Sequence, residues 1–374
     1  MTTVTHTDDA TDNVEAEEDR PRFARPDLAR FVARVFERFG LAPDRAATSA
    51  DFLLIADLRG VESHGIARLP YYADRFLRGL MNVDAELSVV RESPSTLALD
   101  AQNGLALALA PLAMEATIAK AADTGICLTT VRASNHFGIA GAYAQMAADR
   151  GLGGIAMTNS SPVVVPTFGS VPMLGTNPIA FAVPRSDSGE VPPLVIDLAT
   201  STVAWGKIEV ARRANSPIPM GWALDEAAMP TTDPHAARYL TPLGGERLTG
   251  GHKGYALAMM VDVLCGPLGG GAWSVHVSGV RGADAAAGTG HMFMVWRIDS
   301  FQDRHDFYAD IDDMVTLLTA TPLTPGDHPS VMVPGDPEIL AERENRLRGI
   351  PVRVEVLAEL RALATEIGVP FDLD

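Results

Sequence analysis

The chain reads as an α/β protein, a mixed central sheet joined by a helical part that both ends of the sequence build. Three observations predict this. Residues 27–79 carry apolar side chains at helical spacing with no β-like run among them. Short β-like runs begin near Leu87 and alternate with helical stretches as far as Ile298. The last fifty residues return to helices, charged on one face and apolar on the other. At 374 residues and 47% hydrophobic, the chain has core enough for one large domain or two.

In order, Asp27 caps a helix whose Leu28, Phe31, Val32, Val35, Phe36 and Phe39 share a face, with Gly40 as its stop. Pro43 and Asp44 open a second helix, which ends before Gly60. A third runs from Ser63 to Gly79. If it starts near His64, then His64, Arg68 and Tyr72 fall on one face; Pro70 argues equally for a start nearer Ile66 or for a kink. Strands are expected at 87–90, 126–131, 154–158, 179–183, 194–196 and 292–298. Further helices are expected at 105–122, 140–150, 252–264, 337–348 and 354–367.

The formal charge of −17 opposes nucleic acid and anionic membranes as partners. Seven acids and one arginine in the first twenty residues, with almost no large apolar side chains, predict a disordered acidic tail. That segment lacks the order of a signal peptide, and no apolar run is long and unbroken enough to span a bilayer. Cys127 and Cys265 are isolated, which implies neither a disulfide framework nor a thiolate metal site. The expectation is a cytoplasmic protein without a metal.

Chemistry concentrates in two histidine motifs, Ser63-His64-Gly65-Ile66-Ala67-Arg68 and Ser134-Asn135-His136-Phe137-Gly138. Histidine exchanges protons near neutrality, and the guanidinium of Arg68 is a planar fork suited to a carboxylate. Together they point to chemistry on a small acid. Only three of the thirty basic residues are lysines, and two of these, Lys207 and Lys253, adjoin glycine. Gly151 to Ala156 matches G-x-G-x-x-A, but it follows a helix and precedes a strand, the reverse of a Rossmann turn. Loops at Asn159-Ser160-Ser161-Pro162, Gly175-Thr176-Asn177-Pro178, Asp197-Leu198-Ala199-Thr200-Ser201 and Pro334-Gly335-Asp336 offer backbone amides and hydroxyls that can hold phosphate and ribose without that fold. The run Asp303, His305, Asp306 reads as a solvated loop rather than a metal site.

Ala56-Asp57-Leu58-Arg59-Gly60, both histidine motifs, Gly175-Thr176-Asn177-Pro178-Ile179, Asp197-Leu198-Ala199-Thr200-Ser201, Pro219-Met220-Gly221-Trp222-Ala223, Pro230-Thr231-Thr232-Asp233-Pro234 and Gly251-His252-Lys253-Gly254-Tyr255 stand in one order along the chain. From about Phe23 to the C-terminus the sequence resembles the malate/L-lactate dehydrogenase family, which is distinct from the Rossmann-type enzymes. The pattern departs at Glu62, where aspartate is common, at the added 243–249 stretch with Glu246 and Arg247, and through the Gly-rich run to Gly290.

The resemblance implies a non-Rossmann nicotinamide-dinucleotide fold, a homodimer, NAD or NADP as cofactor, and interconversion of a 2-hydroxy acid and a 2-oxo acid. It leaves room for cyclic imino acid reduction and for an inactive relative that only binds. Residues 1–22 are then the tail, 23–86 with 322–374 the helical substrate and dimer part, and 87–321 the dinucleotide-binding domain. The positions matching His64 and His136 are candidates for the acid/base, His136 being preferred because a loop histidine after a strand projects into a cleft. Arg68 matches the carboxylate holder and Tyr72 a pocket residue. Ser160, Asp197, Ala199, Thr200, Ser201, His252, Lys253, Pro334, Gly335 and Asp336 match dinucleotide contacts, to which Gly175, Thr176, Asn177 and Lys207 are added by their settings.

Overall fold

The structure is a computed structural model that describes residues 20–278, 284–326 and 329–373. The expected tail lies outside them except for its last three residues.

The chain opens with strand β1 (Arg22–Phe23), helix α1 (Arg25–Arg38), helix α2 (Pro43–Leu58) and helix α3 (Leu69–Leu77). Pro26 and Pro43 sit in the first turns of α1 and α2, where a missing N–H costs nothing. Leu28, Phe31, Val32, Val35 and Phe36 are the buried face of α1, as their spacing requires. The expected third helix is shorter than its sequence span. Glu62–His64 and Ile66–Arg68 are separate 3₁₀ turns, broken at Gly65, and the α-helix starts only at Leu69. His64, Arg68 and Tyr72 therefore do not lie along one helical face.

There follow β2 (Ser88–Ser93), β3 (Thr96–Asp100), α4 (Ala106–Thr124), β4 (Ile126–Ser134), α5 (Ala140–Ala148), β5 (Leu152–Thr158), β6 (Ile179–Val183) and β7 (Leu194–Leu198). Then come α6 (Trp205–Ala214), β8 (Ala223–Leu224), β9 (Pro230–Thr231), β10 (Tyr239–Leu240), α7 (Gly251–Cys265), β11 (Thr289–Arg297), α8 (Arg304–Thr319), α9 (Asp336–Arg348), β12 (Ile350–Pro351) and α10 (Val354–Ile367). All six expected strands form. The periodicity missed β3, α6 and α8, together with the two-residue strands.

The chain divides into two compact units, one holding residues up to Asp74 and from Glu338, the other Arg75–Pro337. Sequence reading sets these limits at 86 and 322 instead. The reason lies in hydrogen bonds. Asn103 donates to the Leu80 carbonyl and Asn82 to that of Asn103, so the segment after α3 belongs with the sheet. Gly335, at φ +95, lies so close to the Val195 carbonyl that a Cβ would stand 2.6 Å from it, which ties that loop to β7.

In the first unit β1 pairs antiparallel with β12, joining Phe23 to Ile350. The Asn345 amide donates to the carbonyls of Asp57 and Leu58, closing the C-terminal end of α2. Arg20, expected in the tail, donates to Glu62 at 2.6 Å, and Arg353 reaches the same carboxylate at 2.8 Å.

The second unit is built on a seven-stranded sheet of order β2-β3-β4-β11-β5-β6-β7, mixed because β3 and β4 alone run parallel. The 151–156 glycine run serves packing. A Cβ on Gly153 would enter the Trp296 ring, and one on Gly154 would meet the Ala144 carbonyl. β8, β9 and β10 form a separate small sheet.

Candidate active site

In the first unit the chemistry sits on the two 3₁₀ turns. The Arg68 Nε–H donates to the Ser63 carbonyl at 2.8 Å, which fixes the guanidinium to the turn that carries His64. The Ser63 hydroxyl faces Nδ1 of His64 at 2.9 Å. Burial, then the nearby Arg68 charge, lowers the His64 pKa to about 4, so the ring is neutral at cellular pH. Tyr72 is fully buried, edge-on to Phe36 and Tyr71, and burial raises its hydroxyl pKa well above the ordinary value.

Asp57, quoted above only as part of a motif, proves central to this turn. Its carboxylate accepts from the Ile66 amide at 2.7 Å, and it lies so close to Gly65 that a Cβ there would stand 2.0 Å from its oxygen. Glycine at 65 is thus a steric requirement. Burial, with a contribution from Glu62, raises the Asp57 pKa to about 8.

In the second unit His136 is half-buried in the turn between β4 and α5, and its Nδ1 accepts from the Gly138 amide at 3.4 Å. The turn opens with backbone strain, since Ala133 adopts φ +50 without being glycine. Asn135 is fully buried and donates to Asn103 and Gly104, while its Oδ1 finds no partner among the described residues. The Ser161 hydroxyl, also buried, finds none either.

The loops expected to meet a dinucleotide interlock. The Ser160 hydroxyl accepts from the Thr176 amide, and the Ser160 amide donates to Asn177. Gly175 is packed where a Cβ would lie 2.1 Å from the Ser160 hydroxyl. Thr200 donates to the carbonyls of Thr176 and Asn177, and its own carbonyl accepts from the Leu243 amide. Asn177 and Thr200 are fully buried with these bonds made, which makes them the scaffold of the loops. Ser201 likewise donates to the Val203 carbonyl, and Ala199 is half-buried.

The remaining candidates are dispersed. The Asp197 carboxylate accepts from the Gly141 amide at 2.7 Å and so caps the N-terminus of α5. Lys253 is exposed in the first turn of α7, and His252 beside it meets Arg247 at 2.6 Å through Nδ1. Lys207 is exposed on α6. Asp336 turns back to accept from the Val333 amide, Gly335 lies against β7, and Pro334 is exposed.

A buried histidine escaped the sequence reading altogether. His291, in β11, is fully buried between Thr158 and Ser134, 2.8 Å from each hydroxyl. Its signal was a polar residue after Gly290 at the head of an otherwise apolar strand. The run Asp303, His305, Asp306 is a helix cap in which Asp303 accepts from the His305 amide at 2.9 Å, and no cluster able to hold a metal occurs among the described residues.

The sequence matches the profile of the malate/L-lactate dehydrogenase family over residues 23–361. The chain belongs to that family. Malate dehydrogenase of Pyrococcus horikoshii is 41% identical over 353 residues, covering 93% of this chain and 96% of the relative. A ureidoglycolate dehydrogenase (NAD(+)) of Escherichia coli O157:H7 is 34% identical, covering 88% and 92%. The crystal structure of malate dehydrogenase from Entamoeba histolytica superposes with a TM-score of 0.88 at 32% identity, over 95% of this chain and all of that one. The mixed sheet and its flanking helices are thus the fold of a malate/L-lactate dehydrogenase, and the reversed context of the 151–156 glycines accords with a fold other than Rossmann.

Proposed function

We propose that this family member is an NAD- or NADP-dependent oxidoreductase that interconverts a small 2-hydroxy acid and the matching 2-oxo acid, malate being the first candidate. The observation that carries the reading is the tethered Arg68, whose Nε bond to the Ser63 carbonyl fixes the guanidinium to its turn, as a carboxylate holder requires. A substrate held by its carboxylate keeps its C2 hydroxyl within a limited arc, which eases proton removal. His136 takes the hydroxyl proton in oxidation and returns it in reduction. His64, with its lowered pKa, is a poor proton acceptor and instead hydrogen-bonds the substrate as a neutral ring. The positive Arg68 steadies the alkoxide as it develops.

The residues present fit a nicotinamide dinucleotide. Supporting this are the buried, unpartnered Asn135 Oδ1 and Ser161 hydroxyl, which a ligand's amide and hydroxyls would satisfy, and the exposed Lys253 ammonium at the start of α7. The loops of Ser160, of Gly175 to Asn177, of Asp197 with Ala199 to Ser201 and of Pro334 to Asp336, together with Lys207 and His252, complete the contacting set we assign to it. When bound, the dinucleotide supplies the acceptor for the hydride that leaves C2.

The same reading makes the protein a cytoplasmic homodimer. Cys127 and Cys265 are buried free thiols, and no helix of the described residues is long and apolar enough to cross a membrane. Met259, Met260 and Val263 leave an apolar stripe of α7 exposed beside Trp273 and Val275, a surface suited to a second copy. A panel of 2-hydroxy acids, 2-oxo acids and cyclic imines with each dinucleotide, followed at the nicotinamide absorbance, tests the activity. Turnover of hydroxy acids is expected; turnover of cyclic imines alone would replace this function with imine reduction.

A further inference from the structure

The imidazole of His291 performs no step in the proposed reaction, yet it occupies a costly position. An apolar side chain of similar size would fill the space without taking a ring's two nitrogens out of water. What the imidazole adds is directional. The Thr158 hydroxyl has the Asn159 and Gly290 carbonyls each at 3.0 Å, so its hydrogen goes to one of them and its oxygen accepts from Nδ1–H of His291. Nε2 is then the lone-pair nitrogen, and the Ser134 hydroxyl donates to it at 2.8 Å. Burial lowers the His291 pKa to about 3, which keeps this arrangement neutral.

The two hydroxyls lie at the ends of different strands. Ser134 closes β4 and opens the turn to His136; Thr158 closes β5 and opens the loop of Ser160 and Ser161. The His291 ring also stacks on Phe137, centroids 4.5 Å apart and planes within 3°. Phe137 stacks in turn on Tyr143 at 4.6 Å, whose hydroxyl donates to the Phe137 carbonyl at 2.6 Å. A register shift between Thr289 and His291 admits this geometry. Gly290 within it has no room for a Cβ, which would stand 1.9 Å from the Cys265 carbonyl. Both neighbours of His136 in the turn are therefore held, Asn135 by the 103–104 backbone and Phe137 by His291, and Ser134 before them is bonded to the same ring.

We propose that His291 is the positioning residue for His136, holding the turn by its bond to Ser134 and its stack on Phe137, and coupling it to the Ser160 loop through Thr158. This rests on the role assigned to His136 above.

Two variants test it. Ser134→Ala removes the partner of Nε2 and leaves the ring; His291→Phe keeps a flat ring against Phe137 and removes both nitrogens. Each is expected to lower kcat about tenfold to a hundredfold, with KM for the hydroxy acid and Kd for the dinucleotide within about threefold, as for a small misplacement of the base. The double variant is expected to be no slower than the slower single one. The Cε1 proton resonance of His136, assigned by its loss in His136→Gln, is expected to move in Ser134→Ala. That signal needs no turnover, so it reports on positioning even if the wild-type protein oxidises no hydroxy acid, which is the result that would instead count against the proposed reaction. If His291→Phe does not fold, Ser134→Ala and the resonance decide. An unchanged kcat together with an unmoved His136 resonance in Ser134→Ala overturns the proposal. So do losses spread equally over kcat, KM and Kd that multiply in the double variant.

Discussion

Arg68 is bonded through Nε to the carbonyl of Ser63, the residue immediately before His64. The proposed carboxylate holder and a histidine thus belong to one short piece of backbone, joined by this bond. If the fork grips substrate, Arg68→Lys loses both the tether and the planar pair of donors. A loss of about 2–5 kcal/mol in kcat/KM is expected, as for a truncated buried charge pair. Near-normal kinetics of Arg68→Lys with the preferred hydroxy acid would refute the clamp.

The two histidines separate by pH. With its pKa lowered to about 4, His64 stays neutral through the working range and gains a proton only at the acid extreme. An acidic limb of kcat lying well above pH 4 is therefore expected to survive in His64→Gln and to disappear in His136→Gln. The base mutant should also lose about 10²–10⁴-fold in kcat. A limb that vanishes with His64 and persists without His136 exchanges their roles.

Asp57 makes a prediction about stability rather than rate. Its folded pKa of about 8 lies far above the unfolded carboxylate value, so between about pH 4 and 8 the folded state binds the extra proton. Stability from this group is then greatest in acid and falls as pH rises through that window, by up to about 1.4 kcal/mol per pH unit. Asp57→Asn keeps an oxygen for the Ile66 amide and removes the titration. Its melting temperature should fall less than that of the wild type between pH 5 and pH 8. Parallel melting curves for the two proteins across that range would show that Asp57 is ionised throughout.

Lys253 stands exposed in the first turn of α7, where a cation and the helix amides both favour phosphate. Lys253→Ala should raise KM for the dinucleotide severalfold more than KM for the acid, and the difference should shrink at high salt. Equal effects on both substrates would place Lys253 outside the cofactor contacts.

The helices at the two ends were legible because their buried faces are strictly periodic, as with Leu28, Phe31, Val32, Val35 and Phe36. The helix at Arg304–Thr319 was not, since Tyr308 is its one buried residue and its apolar members, such as Met314 and Leu317, face outward. The candidate site residues follow the same rule. His64, Arg68 and His136 announce themselves by local neighbours. Asp57 and His291 owe their significance to Ile66 and Gly65, or to Ser134 and Thr158, which the fold alone brings near. Of the two starts left open for the third helix, the one that would put His64, Arg68 and Tyr72 on one face is not formed, because the turn breaks at Gly65, where the Asp57 carboxyl packs.

The most direct test of the account follows the hydrogen at C2. Malate deuterated at C2 is turned over with NAD or NADP, and the reduced dinucleotide is weighed by mass spectrometry. One deuterium is expected in the reduced dinucleotide for each 2-oxo acid formed, and none from water. Reduced dinucleotide carrying only solvent hydrogen, or no turnover of any 2-hydroxy acid in the panel, would contradict it.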